Sequence, residues 1–183
     1  VMFSIHTVHA DAGAYGEAER QSSRALRRLA GSGWRVVDDV PFGPMNIDHV
    51  AIGPRGVVAV ESASISSPYP VDEDGGDALE TALRHAKRGA RRVRLLLKSQ
   101  GIDAHVAPAL ALWGRGSASL ATQTVDGVSM LVGRDSKQWS DQLPSTGERF
   151  EPEEVAEIEA ILARFVEMRR ELYRRPREDS LPA

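Results

Sequence analysis

Cysteine is absent from the 183-residue chain. That absence excludes a disulfide scaffold, a zinc–thiolate centre and a cysteine nucleophile. No apolar run approaches the ~18 residues that a membrane span requires. No signal-peptide pattern opens the chain either, so the cytosol is the expected compartment and no membrane partner is expected. An excess of one charge is also missing: 23 Lys and Arg stand against 26 Asp and Glu, a formal net charge of −3. The total therefore predicts no general affinity for nucleic acid or membrane, and local charge has to carry any such argument. The tryptophans are few, and Trp34, Trp113 and Trp139 are too scattered for a base-stacking platform. They read as packing residues. Internal repeats and low-complexity blocks are missing too.

What is present describes a globular chain. Hydrophobic residues make up 42% and charged residues 27%, and the length buries a core without covalent staples. One domain with a helical extension is expected. The boundaries read as an N-terminal extension over 1–12, a domain over 13–150, and a C-terminal helix and tail over 151–183. A helix is predicted over 16–30, rich in Ala, Arg, Glu and Leu and closed by Gly31 and Gly33. Strands follow over 34–39, 46–52 and 57–62, the last two joined by the turn Gly53-Pro54-Arg55-Gly56. Residues 64–76 are polar, with prolines and glycines, and read as a mobile loop. A long helix is predicted over 77–100, where Leu79, Ala82, Leu83, Ala86, Ala90, Val93 and Leu97 form one stripe. Strands over 105–113 and 128–132, a short helix over 136–143 and a last helix over 152–173 complete the order. Pro108 is expected to push its strand to a sheet edge or to mark a bulge. Residues 177–183 read as a frayed tail. This order predicts an α/β fold: a three-layer α/β/α sandwich with a mixed central sheet.

Two carboxylates stand out. Asp48 interrupts an apolar strand, and Glu61 ends the next one. Acids on adjoining strands can converge at the end of a sheet, where magnesium takes one or two carboxylates with waters and a phosphate. Acids at strand ends also serve as ordinary structural groups, and the spacing alone does not separate the two uses.

The segments Gly13-Ala14-Tyr15-Gly16-Glu17, Asn46-Ile47-Asp48-His49-Val50-Ala51-Ile52-Gly53-Pro54-Arg55-Gly56-Val57 and Val58-Ala59-Val60-Glu61 resemble the NERD (nuclease-related domain) family. The resemblance covers roughly residues 13–113. It implies a restriction-endonuclease-like core of the PD-(D/E)xK superfamily, with the order αβββαβ plus C-terminal helices. It also implies that Asp48 and Glu61 are catalytic and hold Mg or Mn, joined by Glu17 from the first helix. One departure matters as much as the match. Members of the family place a lysine two residues after the strand-ending Glu, and this chain has Glu61-Ser62-Ala63. An ammonium there would orient the attacking water and offset charge on the phosphate. Loss of one such transition-state contact costs about 3–4 kcal/mol.

A second departure is His85, where the family often has Gln; it serves either as a donor to phosphate or as a surface histidine. His49 follows Asp48 on the strand and points to the opposite face, so a structural hydrogen bond is the simpler use. His6, His9 and His105 carry no argument. Arg84, Lys87, Arg88 and Arg91 belong to a stretch of the long helix that has no acid between Glu80 and Asp103. Such a face engages phosphates without reading sequence, or is simply solvated. Lys87 or Arg84 is a candidate to replace the missing lysine. Neither Gly114-Arg115-Gly116 nor the Gly53–Gly56 turn fits a phosphate-loop or dinucleotide fingerprint. The serines at 62, 64, 66 and 67 form no nucleophile elbow. Three readings follow: a degenerate nuclease site that is weak or inactive but binds nucleic acid, with DNA favoured; an active Mg- or Mn-dependent nuclease with a relocated cation; and a non-catalytic domain that binds a protein partner.

Overall fold

The computed structural model describes residues 12–43, 45–65 and 74–174. The extension expected before residue 12, most of the loop expected over 64–76 and the tail over 177–183 lie outside the described residues.

Helix α1 spans Ala12–Arg27 and runs on through a 3-10 turn at Arg28–Ser32. Gly33 ends it with φ +80°, a conformation that suits glycine at a helix end. The chain then forms β1 (Arg35–Pro41), β2 (Asn46–Gly53) and β3 (Gly56–Ser64), an antiparallel run of three. Pro54 and Arg55 turn β2 into β3, with Gly53 paired to Gly56. Gly53 is required for packing as well: a Cβ there would meet the Trp34 ring at 2.3 Å.

Helix α2 (Asp74–Ser99) crosses over to β4 (Val106–Trp113), which lies parallel to β3. Gly101, at φ +87°, lets the Ile102 amide turn back to the Leu97 carbonyl at 3.0 Å and closes the helix. The strands β5 (Gln123–Val125) and β6 (Val128–Val132) form a small hairpin, with β6 parallel to β4. The sheet order is β1-β2-β3-β4-β6-β5. Helix α3 (Trp139–Gln142) and helix α4 (Pro152–Arg174) finish the chain. Glu154 reaches back to the Glu151 amide at 2.8 Å and satisfies a donor at the start of α4.

Two local readings need correction. The strand β5 was not anticipated, because three residues carry no alternation long enough to read. The strand bearing Pro108 is internal to the sheet and not at its edge. Pro108 is tolerated because the ladder to β6 begins only at Ala109, so the missing N–H falls where β4 has β3 alone beside it.

The architecture is a three-layer sandwich. Ala25 and Leu26 of α1 and Leu29 of the 3-10 turn pack with Trp139 and Leu143 against Ala51, Val58, Val60 and Ala109 on one face. On the other face, Ala90, Val93 and Leu97 of α2 join Val155, Ile158, Leu162 and Val166 of α4 over Val50, Ile52, Val57 and Ala59. Helix α4 therefore helps to build the same core as the strands of the domain expected over 13–150. Among the described residues, no helix is long and apolar enough to cross a membrane.

Candidate active site

The two-residue turn at Pro54-Arg55 sets the register that brings Asp48 and Glu61 together. His49 pairs with Val60 at the end of the β2–β3 ladder, and just beyond it Asp48 lies close enough for its charge to act on Glu61. Both acids lie at the end of the hairpin away from the turn, at the carboxyl end of β3. Ligand sites in open α/β sheets form at carboxyl ends of strands.

The pleat is distorted at this point. Val37 and Val40 both pack toward α2 and α4, as do Ile47 and Val50, although each pair is three residues apart. Strict alternation would send one member of each pair to the opposite face. Asp39 absorbs the irregularity in β1 with φ +54°, a region that Asp enters more readily than most residues. Its carboxylate accepts a hydrogen bond from Asn46 Nδ2 at 2.8 Å and faces Arg170 at 3.7 Å.

Asp48 and Glu61 are both buried. Asp48 Oδ2 accepts the Ser62 amide at 2.7 Å. Glu61 points toward α2, where Gly89 leaves room: a Cβ on Gly89 would stand 3.4 Å from Glu61 Oε1 and 3.1 Å from Ile47. Glu61 Oε1 is buried and has no hydrogen-bond partner among the described residues. Burial, then the charge of Asp48, then that of Glu19 push the Glu61 carboxyl up to about 9. The charges that act on Glu61 are thus negative, and a cation would relieve them.

A hard divalent cation fits this donor set. The oxygens are carboxylate oxygens, one is buried without a partner, and the local field is negative. No three His, Asp or Glu side chains among the described residues form a ready metal cage. Magnesium does not need one, since it keeps several waters and takes one or two carboxylates.

Glu17, implied as a ligand by the resemblance, is placed differently from the pair. Its carboxylate accepts hydrogen bonds from Gln21 at 2.9 Å and Arg20 at 2.8 Å, and these contacts, Gln21 first, hold its pKa below the usual range. The α1 acid that shares a field with Asp48 and Glu61 is Glu19. Burial raises its carboxyl first, followed by the charge of Asp48. Glu19 lies one turn before Ser22 and Ser23, which reach Ser62 and Asp38. Helical spacing carries the signal that finds it: residue 19 flanks the buried stripe of Ala18, Ser22, Ala25 and Leu26, and residue 17 lies farther round.

Asp38, on β1, completes the surroundings. Burial works to raise its carboxyl, and hydrogen bonds from His49, Arg27 and Ser23 outweigh that and hold it at about 2. His49 Nδ1 lies 2.8 Å from Asp38 Oδ1.

Ala63 is buried among Leu83 and Ala86 of α2, Leu110, Leu112 and Ile65. Position 63 is therefore lined by apolar side chains. The proposed replacements point elsewhere: Lys87 pairs with Asp126, and Arg84 pairs with Glu80 at 3.0 Å. His85, Arg88 and Arg91 are exposed on the outer surface of α2.

A family model described as a nuclease-related domain, NERD, matches residues 12–113, from the first residue of α1 to the last of β4. Neither a curated protein nor a solved structure matches the chain.

Proposed function

The chain belongs to the nuclease-related domain family, and from that premise we propose that it binds nucleic acid, preferably DNA, beside a divalent-cation site whose power to cleave is weak or lost. Asp48 and Glu61 hold the cation, magnesium or manganese, and Glu19 rather than Glu17 adds the negative field from α1. When bound, such an ion polarises a phosphodiester and makes a water nucleophilic at neutral pH. Asp48 is oriented by the Ser62 amide, and Glu61 offers the oxygen that has no other partner. Arg88 and Arg91 engage phosphates from the exposed side of α2, with Arg84 and Lys87 contributing once their surface pairs with Glu80 and Asp126 yield. Exposed pairs of that kind are worth only about 0–1 kcal/mol and give way easily to a phosphate.

The observation that carries the degenerate reading is Ala63. A methyl group closed in by Leu83 and Ala86 supplies no charge to the attacking water or the phosphate. Loss of one such contact lowers a rate by about 100- to 1000-fold.

The test incubates the chain with plasmid and with single-stranded DNA in magnesium and in manganese. Binding that weakens steeply with added salt is expected, with little or no cleavage. Ala63→Lys should raise cleavage, since the long stem of lysine can lie along apolar surface and put its ammonium at the site. Ala63→Met, of similar length and uncharged, should not. Efficient cleavage by the unaltered chain, abolished by Asp48→Ala, overturns the degenerate reading. Absence of both binding and cleavage overturns the nucleic-acid reading and leaves a protein-interaction domain.

A further inference from the structure

Behind Asp48, on the α1 side of the sheet, a chain of polar side chains runs through the core. Trp113 Nε1, from the end of β4, donates to Ser22 Oγ of α1 at 2.7 Å. The hydroxyls of Ser22 and Ser62 share a hydrogen bond of 2.8 Å. Ser62 Oγ lies 3.4 Å from His49 Nε2, and His49 Nδ1 faces Asp38 at 2.8 Å. Ser22, His49 and Ser62 are all buried. The direction of the bond at each end is fixed. An indole N–H can only donate, and an ionised carboxylate can only accept. His49 Nδ1–H therefore donates to Asp38 and the indole to Ser22, and between them the Ser62 hydroxyl donates to Ser22 Oγ.

This chain meets the site at one residue. Ser62 is held by its hydroxyl on the α1 side, and its amide donates to Asp48 Oδ2 at 2.7 Å. We infer that His49 is a positioning residue: braced by Asp38, it fixes Ser62, and the Ser62 amide in turn aims the Asp48 carboxylate at the cation. The inference rests on the cation site proposed above. His49 never touches the cation or the nucleic acid. Burial leaves this Asp-His-Ser series without substrate access, so it does not act as a nucleophilic triad. Partners that orient a ligating side chain typically change metal affinity 10- to 100-fold when removed.

The test is a titration of the full chain with Mn2+, followed by the loss of the free-ion electron paramagnetic resonance signal. The unaltered chain should bind Mn2+, and Asp48→Ala should abolish that binding. His49→Ala should weaken it by about 10- to 100-fold. His49→Gln, which keeps a donor and an acceptor on one side chain, should recover most of the affinity. Ser62→Ala keeps the amide and removes only the hydroxyl, so it reports the same link where His49→Ala fails to fold. Val155→Ala destabilises the core through α4, remote from the network, and serves as the control for general softening. Wild-type Mn2+ affinity in folded His49→Ala or Ser62→Ala overturns the inference, and so does an equal loss in Val155→Ala. In either case binding that depends on Asp48 leaves the cation site standing. No Mn2+ binding by the unaltered chain removes the cation site and this inference together.

Discussion

Without a metal, Glu61 takes up a proton as the chain folds, because its carboxyl moves from 4.5 to about 9 through burial and the charges of Asp48 and Glu19. A raised carboxyl favours the folded state where it is protonated in both states. That stability is fully present below about pH 4.5 and is lost as pH climbs toward about 9. Glu61→Gln removes the titration and keeps the shape. In the presence of a chelator, the variant should unfold at higher urea than the unaltered chain at about pH 8, and the gap should close toward about pH 4. Saturating Mn2+ should stabilise the unaltered chain by mass action and leave Glu61→Gln unmoved. A urea midpoint for the unaltered chain that stays flat between those pH values would contradict this account. That Asp48 and Glu61 lie on adjoining strands was legible from residues alone, since a two-residue turn joins those strands in a hairpin. Glu19 was less legible than Glu17, because the family motif points to 17 while the docking of α1 turns 19 toward the sheet.

At the scale of elements, α2 lies close over β2 and β3. Gly89 permits it, with Ile47 and Glu61 filling the space a side chain would take. Gly89→Leu should cost about 1–3 kcal/mol through overpacking, seen as a lower urea midpoint. It should also displace Glu61 and weaken Mn2+ binding. Retained affinity would show that Glu61 does not depend on this gap. The helical stripe of α2 is plain in the order of its residues, and so is the basic surface opposite. The partners of that surface are not: Asp126 sits on the β5–β6 turn and Asp103 follows the helix, and only the folded chain brings Lys87 to the first and Arg94 to the second. The strand β5 escapes notice for a related reason, since three residues gain their structure from β6 and not from their own pattern.

Across the whole molecule, α4 lies beyond the segment that matches the family and still closes the core over β1 and β2. Leu162 is fully buried there. Leu162→Ala should destabilise the chain by about 2–5 kcal/mol, measured by urea unfolding. Removal of only a few tenths of that would mean α4 is an appendage. The period of Val155, Ile158, Leu162 and Val166 made the helix predictable. The layer it joins was open, because periodicity states that a face is apolar and not which apolar face it meets.

Local chemistry was enough to settle the order of the helices α1, α2 and α4, of every strand but β5, and the strand–turn–strand hairpin, because each depends on neighbours within a few positions. Long-range packing was needed to bury Ala63 under Leu83 and Ala86, to draw Lys87 into a surface pair with Asp126, to bring Glu19 into the field of Asp48 and to thread Trp113, Ser22, Ser62, His49 and Asp38 into one chain of hydrogen bonds. Those contacts join residues tens of positions apart, and their geometry exists only once the helices have docked on the sheet.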